Sequence, residues 1–344
     1  MARLPRRLTF DPAVIGIYHC INRCVRRAYL CGVDQLSGKS YEHRRQWLQD
    51  KLEFIAGVMG CDILGFAVMS NHFHLVVRNR PDVVANWSDE DVARRWYQLC
   101  PVRREPGGAP VEPTAADLGL IVNNSDRLAE IRLRLSSVSW LMRFLTEPIA
   151  RRANEEEQSS GRFWQGRFRL QRLLDEAAVA ACLVYVDLNP IRAGIAATPE
   201  ESRFTSVYER IRAAVICASA RTADAISAEQ CAAPRPAASI EPVAAVDQPC
   251  RGAGSSLVAN NQQAPREERL MPEPKPASKS LVARPAAEWL SPLEVSEQRE
   301  SQPTPSARAS NKGCLEMSLA DYLELVEWSG RQWRADKRGA IDAA

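Results

Sequence analysis

The sequence predicts an α+β fold that contains an antiparallel sheet, and three patterns indicate it. Residues 15–22 form a short apolar run of the kind that makes a strand. Apolar residues then recur at helical spacing from Leu48 to Met59. Two further β-prone runs, residues 62–69 and 72–78, are separated by only two residues, which predicts two strands joined by a tight turn.

The elements that follow are predicted to be a helix, a strand and a second helix. Residues 136–154 have helical periodicity, and we expect the helix to form despite Pro148. Residues 163–173 alternate between polar and apolar side chains, as a strand does. Residues 176–188 return to helical composition, and Pro190 is expected to end that helix.

These elements belong to one predicted domain, residues 1–215. An insertion at about residues 81–133 interrupts it with a stretch rich in proline and glycine. Only a short amphipathic helix near residues 92–99 is recognisable in the insertion, so its structure is left open and no chemistry is assigned to it.

The remainder of the chain is predicted to be a linker and a terminal helix. Residues 216–312 hold twelve of the 22 prolines among alanine, serine, glutamine and charged residues, which predicts disorder. Residues 313–344 carry a C-terminal helix, because Ser318 and Asp321 match a capping box ahead of an apolar helical face. We expect that helix to dock on the domain or to bind a partner.

Composition excludes several classes of protein. The chain has 344 residues and a formal net charge of +3, so it is not an extreme polybasic protein. No stretch approaches the ~18 apolar residues of a membrane span, and no hydrophobic signal region follows the arginine-rich start. The ten cysteines include no C-x-x-C pair, which favours reduced thiols and a cytoplasmic location.

His72 and His74 are two of only four histidines in the chain, and a single residue separates them. Because side chains alternate between the faces of a strand, both imidazoles point one way while Phe73 and Leu75 face the opposite layer. Imidazoles completed by oxygen ligands and a substrate phosphate fit a loosely held divalent metal, Mg²⁺ or Mn²⁺. Alone, the same spacing also fits a half-exposed polar strand face.

Tyr185 and Asn189 lie four residues apart, so they share one face at the end of the last helix of the domain. The first offers a nucleophilic oxygen and the second a ligand oxygen. A tyrosine hydroxyl can attack a phosphodiester when a nearby metal draws charge from the phosphate. By itself, a helical tyrosine is more typical of a core aromatic residue with a hydrogen-bonded hydroxyl.

The predicted strand of residues 163–173 carries a cationic stripe beside an aromatic face. One face presents Gln165, Arg167 and Arg169, and the other presents Trp164 and Phe168. Guanidinium groups bind phosphates and aromatic rings stack on unpaired bases, so the strand suits single-stranded nucleic acid. A solvated charged face above a buried aromatic face is an equal alternative.

A second basic group lies at the start of the chain and just after the first predicted strand. Its members are Arg3, Arg6, Arg7, Arg23, Arg26 and Arg27. We expect Arg23, Arg26 and Arg27 to contact a DNA backbone, although solubility alone would also explain them.

Four of these segments, taken in order, resemble one family. Tyr18-His19-Cys20, Ser70-Asn71-His72-Phe73-His74, the segment of residues 163–168 and the segment of residues 185–194 are similar to motifs of the REP-associated branch of HUH-type single-tyrosine transposases. The resemblance spans about residues 1–212. The insertion and the tail beyond it depart from the family pattern and leave the DNA target and the assembly open.

The resemblance implies a fold and a reaction. The fold would be ferredoxin-like or RRM-like, an antiparallel sheet with helices on one face, with His72 and His74 on a central strand. Tyr185 would attack a phosphate of single-stranded or hairpin DNA to give a 5'-phosphotyrosine and a free 3'-hydroxyl, and rejoining would reverse the step. Asn189 would complete the Mg²⁺ or Mn²⁺ site. Both a monomer and a homodimer are compatible with the sequence.

Three other functions remain to be weighed. A DNA-binding regulator could keep the fold without catalysis, although Tyr185 and both histidines are present. A relaxase or replication initiator shares the chemistry but would be expected to carry a helicase or primase domain, and no nucleotide-binding loop is evident. A zinc module of Cys20, Cys24 and Cys31 with His19 fits no usual spacing.

Overall fold

The computed structural model describes residues 10–25, 30–34, 37–232, 287–332 and 336–341, with the backbone alone for residues 221–232. Residues 1–218 and 285–344 belong to one compact unit, and residues 219–284 to a second, of which the described part is the final portion of one helix. Within the described ranges, no helix has both the length and the apolar composition needed to span a bilayer.

Among the described residues, four antiparallel strands form one sheet in the order β2-β3-β1-β4. The strands are β1 (Ile17–Arg23), β2 (Cys61–Val68), β3 (His72–Asn79) and β4 (Arg169–Leu173). The helices are α1 (His43–Val58), α2 (Pro81–Ala85), α3 (Asp89–Leu99), α4 (Ala115–Val122), α5 (Ser125–Leu135), α6 (Val138–Glu156), α7 (Glu176–Asp187), α8 (Asn189–Arg192), α9 (Ser206–Ala232), α10 (Glu297–Glu300) and α11 (Leu319–Arg331). With α1 after β1 and α6 before β4, the core follows the β-α-β-β-α-β order of a ferredoxin-like fold. The predicted α+β class is confirmed.

The two faces of the sheet are packed differently. One face, the core face, carries Phe73 and Leu75 of β3 and packs against α1 and α6 in the main hydrophobic cluster. The opposite face carries Val76 and packs against α7 in a second cluster. We call it the histidine face, because His72 and His74 alternate with the core-face residues along β3. The resemblance implied helices on one face of the sheet. In the structure helices cover both faces, because α7 packs on the face opposite α1 and α6.

The predicted hairpin of β2 and β3 is confirmed. The backbone N–H of Met69 donates to the carbonyl of His72 at 2.8 Å, which closes a tight two-residue turn. A bulge interrupts the pairing of β2 near Gly65, and Leu183 of α7 packs over that glycine. A Cβ added at Gly65 would lie 2.5 Å from Cδ2 of Leu183, so the missing side chain lets α7 approach the sheet.

The insertion between β3 and α6 is helical and comprises α2 to α5. Its apolar side chains, Trp96 and Ile131 among them, form a cluster of their own that meets Trp140 of α6. The amphipathic helix predicted near residues 92–99 is part of α3, which Ser88 caps by accepting a backbone N–H in the first turn. The part of the insertion that the sequence left open thus extends the helical layer.

The linker prediction is wrong for residues 287–312. Trp289 and Leu290 are buried in the main cluster. The N–H of Ser291 donates to the carbonyl of Ile63 at 2.8 Å, and Leu290 forms a parallel bridge with Ile63. Because β2 is an edge strand, this segment satisfies backbone groups that would otherwise face solvent. The proline-rich composition therefore did not reveal that this segment covers the edge of the sheet, where two large apolar residues anchor it.

Two other predicted boundaries differ from the structure. The predicted linker begins at residue 216, but α9 continues to Ala232, and residues 233–286 lie outside the described part of the chain. The strand predicted over residues 163–173 is limited to β4. The preceding residues form only an isolated bridge between Cys24 and Trp164, so they lack a continuous ladder.

The predicted C-terminal helix is α11, and its capping box is confirmed. The Ser318 side chain accepts the N–H of Asp321, and the Asp321 side chain accepts the N–H of Ser318. Tyr322 and Val326 are fully buried in the cluster that also contains the apolar side of α7. The helix thus docks on α7, the helix that carries Tyr185.

Candidate active site

His72 and His74 lie on an interior strand, because β3 is flanked by β2 and β1, and they occupy its first turn-proximal residues. Their ring centroids are 4.9 Å apart. Phe73, between them, points to the core face, where its ring centroid lies 5.7 Å from that of Trp164. The two imidazoles therefore share one face, as their spacing predicted.

Tyr185 lies beside this pair on α7. Its ring centroid is 5.5 Å from that of His74, with the two rings nearly perpendicular. The side chain is 47% exposed, and within the described ranges no group hydrogen-bonds to its hydroxyl. Asp175 caps the start of α7 by accepting the N–H of Ala178 at 2.7 Å. A solvent-accessible phenol thus stands next to a histidine pair.

His74 has a partner that the sequence did not assign to the site. Nε2 of His19, on β1, lies 2.9 Å from Nδ1 of His74, and both side chains are buried. The other ring nitrogen of His74, Nε2, is buried and has no hydrogen-bond partner among the described residues. The sequence places His19 in a motif and in the zinc alternative, but the pairing of β1 with β3 is what brings it to His74.

His72 is held by its neighbour in the hairpin turn. Nδ1 of His72 lies 2.6 Å from Oδ1 of Asn71. A carbonyl oxygen only accepts hydrogen bonds, so Nδ1 of His72 carries the proton and Nε2 keeps a lone pair. Asn71 belongs to the motif of residues 70–74, but the sequence alone indicates no role for it.

Burial lowers the pKa of all three histidines. The pKa of His74 falls to about 2 and those of His19 and His72 fall to about 4, with desolvation as the largest cause in each case. The neighbouring histidines lower the pKa of His74 further, and Arg23 does so for His72. The rings are therefore neutral near pH 7, which is the form that ligates metals.

Asn189 follows α7 and begins the short helix α8. Its side-chain nitrogen donates to the carbonyl of Tyr185 at 2.9 Å, as the four-residue spacing allows. This bond occupies the amide nitrogen and leaves Oδ1 as the atom that could ligate a metal. The structure thus couples Asn189 to the tyrosine, and its role as a metal ligand stays a prediction.

The side of α7 turned away from solvent is fixed by a buried carboxylate. Asp187 is fully buried and accepts hydrogen bonds from the hydroxyls of Ser206 and Tyr322, both at 2.6 Å, and from the N–H of Val207 at 3.1 Å. Burial raises the pKa of Asp187, while Arg210 and these donors oppose the shift. The network ties the tyrosine helix to α9 and to the C-terminal segment.

The residues predicted to contact DNA occupy different environments. Arg23, Gln165, Arg167 and Arg169 are exposed, whereas Arg26 and Arg27 lie outside the described residues. Trp164 is partly buried, and its indole N–H donates to the carbonyl of Thr146 at 2.8 Å. The polar and aromatic side chains of this segment thus separate by exposure as predicted, although only Arg169 lies in a strand.

Beyond α7 the histidine face continues as an open tract, which we define as Ile21 and Arg23 of β1 with Arg169 and Gln171 of β4. In the register of these strands Ile21 pairs with Arg169 and His19 with Gln171, so all four share the face of the histidines. Arg23, Arg169 and Gln171 are exposed. Gln171 was not singled out from the sequence, although the two-residue alternation from Arg169 would have indicated it.

The fit of a metal to this site rests on the unpartnered Nε2 of His74 and the available Nε2 of His72. Across the described ranges, no three or more His, Cys, Asp or Glu side chains converge as a metal site. A metal here therefore needs oxygen ligands from an amide, a substrate phosphate or water, which suits Mg²⁺ or Mn²⁺ better than a closed zinc site.

The zinc module considered from the sequence is not formed by the described residues. Cys20, Cys24 and Cys31 are buried in the main hydrophobic cluster. His19 lies on the histidine face, opposite its neighbour Cys20. Burial also raises the pKa of the Cys31 thiol to about 12, which disfavours the thiolate that zinc requires.

Comparisons with known proteins add a distant similarity to a solved structure. No protein-family model matches the sequence, and no curated protein matches it. Among solved structures, the chain is similar to one described as the REP-associated tyrosine transposase bound to a REP hairpin. That match covers 57% of this chain and 79% of that chain, at 11% sequence identity and a TM-score of 0.34. The site described above therefore stands on its own geometry.

Proposed function

We propose that this protein is a metal-dependent tyrosine transposase that cleaves and rejoins single-stranded or hairpin DNA. The observation that carries the proposal is the position of Tyr185 on α7. Its phenol is half exposed, and its ring centroid lies 5.5 Å from that of His74, which shares the histidine face with His72. Nucleophilic catalysis needs an accessible nucleophile beside a group that stabilises charge on the substrate.

His72 and His74 would hold the metal through their Nε2 atoms, with the amide oxygen of Asn189 as the proposed third ligand. When bound, Mg²⁺ or Mn²⁺ supplies positive charge that stabilises the negative charge developing on the phosphate. The buried histidines contribute neutral nitrogen donors, and the burial of His74 keeps water away from one side of that donor set.

In the cleavage step the phenolic oxygen of Tyr185 forms a bond to the phosphorus of a phosphodiester. The bond from phosphorus to the 3'-oxygen of the preceding nucleotide breaks, that oxygen takes up a proton, and the proton of the phenol is released to solvent. The products are a 5'-phosphotyrosine and a free 3'-hydroxyl, so no redox partner or nucleotide is consumed. Attack of a 3'-hydroxyl on the phosphotyrosine reverses the step and rejoins a strand.

The DNA strand would lie along the open tract beside Tyr185. Arg23 and Arg169 offer guanidinium groups for phosphates, and Gln171, which pairs with His19 in the register of β1 and β4, offers a neutral hydrogen-bonding side chain. Gln165 and Arg167 would extend this contact, and contact of Arg26 and Arg27 with DNA stays a prediction from the sequence. Base stacking by Trp164 stays a prediction, because much of its ring packs in the core. Homodimer formation and a cytoplasmic location likewise stay predictions.

The test is incubation of the full chain with a panel of labelled single-stranded hairpin DNAs and Mn²⁺ or Mg²⁺, followed by denaturing electrophoresis. We expect a metal-dependent covalent species that Tyr185→Phe abolishes without loss of DNA binding. Tyr97→Phe is the matched control, because it removes the same atom from a tyrosine that donates to the carbonyl of Asp117 in the insertion. Binding without an adduct across the panel would replace the proposal with the catalytically silent DNA-binding regulator.

A further inference from the structure

The pair formed by His19 and His74 is a buried hydrogen bond between two imidazoles on adjacent strands. Nε2 of His19 and Nδ1 of His74 are 2.9 Å apart, and the two rings are inclined by only 16°. His19 is 7% exposed and His74 is 2% exposed, so water cannot freely replace either partner. Such a bond needs one proton, and two arrangements can supply it.

The two arrangements leave different atoms on the far side of His74. If Nδ1 of His74 donates to His19, then Nε2 of His74 keeps a lone pair. If His19 donates instead, Nε2 of His74 must carry the hydrogen. Because that Nε2 is buried without a hydrogen-bond partner among the described residues, the second arrangement would bury an unsatisfied donor, whereas the first leaves a lone pair that a bound cation can satisfy.

His72 shows the same orientation by an independent contact. Its Nδ1 is 2.6 Å from Oδ1 of Asn71, an atom that can only accept, so the proton is on Nδ1. Both neighbouring imidazoles would therefore present an Nε2 lone pair, each with an acceptor behind its Nδ1–H. Metal-ligating histidines commonly have such an acceptor, which fixes the tautomer and the direction of the ring.

We propose that His19 is a positioning residue, which accepts the Nδ1–H of His74 and so fixes His74 in the tautomer whose Nε2 can bind a divalent cation. The inference rests on the proposed function, because it assigns a role to His19 at the same metal site. His19 is not a ligand in this account, since its Nε2 is already engaged by His74 and no three such side chains converge among the described residues.

The first experiment titrates Mn²⁺ alone, without DNA, into the full chain and two variants. His19→Gln keeps an acceptor oxygen at similar reach, and His19→Leu removes the acceptor while preserving bulk. We expect His19→Gln to bind Mn²⁺ within about threefold of the original chain and His19→Leu to bind it about 10- to 100-fold more weakly. Unchanged affinity in His19→Leu, or an equal loss in both variants, would overturn the proposal.

The second experiment reads the tautomer directly in the metal-free chain at neutral pH. Two-bond ¹H–¹⁵N correlation spectra distinguish protonated from unprotonated imidazole nitrogens, and the chain has only four histidines to assign. We expect His74 to carry its proton on Nδ1, with His43→Gln as the control substitution at the exposed histidine that contacts Glu156. A proton on Nε2 of His74 would overturn the proposal even if His19→Leu failed to fold.

The two experiments distinguish failure of the proposed function from failure of the inference about His19. If the spectra show Nδ1–H on His74 but the original chain binds no Mn²⁺, then the metal-dependent function is wrong and the positioning of a ligand by His19 falls with it. If Mn²⁺ binds and supports adduct formation while His74 carries its proton on Nε2, then the function stands and the inference about His19 is wrong.

Discussion

The two faces of β3 show how one strand serves both the hydrophobic core and the candidate site. On the core face, Phe73 and Leu75 are buried among apolar side chains of α1 and α6. On the histidine face, His74 is also buried and His72 is partly buried, but they make polar contacts with His19 and Asn71. The alternation of a strand places these environments one residue apart. Burial carries no electrostatic cost for the apolar side chains of the core face. On the histidine face, the same burial disfavours the charged imidazolium and keeps the imidazoles neutral.

The tyrosine helix repeats this division. Tyr185 is half exposed, whereas Asp187, two residues later, is fully buried with hydrogen bonds to Ser206 and Tyr322. Residues two apart on a helix point to nearly opposite sides. Tyr185, the proposed nucleophile, is therefore positioned from behind by a C-terminal segment that lies far from it in sequence and leaves its solvent side open.

The largest effect on folding is expected from Phe73→Ala on the core face. Truncating a fully buried phenylalanine removes its contact with Trp164 and leaves a cavity, so the free energy of unfolding should fall by about 3 to 5 kcal/mol. Urea denaturation measures it. A loss under about 1 kcal/mol, the range of ordinary surface changes, would show that this face is not the main core.

A smaller effect is expected from Tyr322→Phe behind the tyrosine helix. The substitution removes one donor from a buried carboxylate, which should lower the free energy of unfolding by about 1.5 to 3 kcal/mol. We also expect a lower yield of DNA adduct, because α7 loses a contact that holds it. Tyr208→Phe, on α9, is a matched control. If Tyr322→Phe leaves both stability and adduct yield unchanged, the C-terminal segment does not position the nucleophile.

His72→Ala should sharpen the contrast between the faces, because its effect on folding is small and its effect on function is large. His72 is only partly buried, so we expect the free energy of unfolding to change by about 0.5 kcal/mol or less. Calorimetric titration should show loss of Mn²⁺ binding, whereas His43→Ala should retain it. If His72→Ala retained its affinity for Mn²⁺, the histidine pair would be a polar part of the strand surface and not a metal site.

The smallest effect on folding is expected from Arg169→Ala in the open tract. Its loss should weaken binding of single-stranded DNA and reduce the slope of log affinity against log salt by about 0.7, the value of one phosphate contact. Arg172→Ala is the control, because Arg172 is an exposed arginine of β4 on the opposite face. Equal losses of DNA affinity in the two variants would show that binding depends on overall positive charge and not on a defined path of the DNA strand along the open tract.

Features that depend on residues close together in the sequence could be predicted. The hairpin of β2 and β3 follows from two β-prone runs and a two-residue turn, and the shared face of His72 and His74 follows from alternation. The coupling of Asn189 to Tyr185 follows from helical spacing. Each of these needs only the geometry of one element.

Features that depend on pairing between distant elements could not be predicted. The bond between His19 and His74 joins residues 55 apart and requires the register of β1 against β3. The anchoring of Asp187 by Tyr322 joins residues 135 apart. The prediction for residues 287–312 was wrong because it used the average composition of the segment, to which a single buried residue such as Trp289 contributes little.

The most direct measurement is identification of the residue that becomes attached to DNA. The adduct formed with hairpin DNA and Mn²⁺ would be digested with protease and nuclease, and the modified peptide located by tandem mass spectrometry. We predict a 5'-linked nucleotide on the peptide that contains Tyr185, absent without metal. Attachment at any other residue, or no attachment with DNA that the protein binds, would contradict the account.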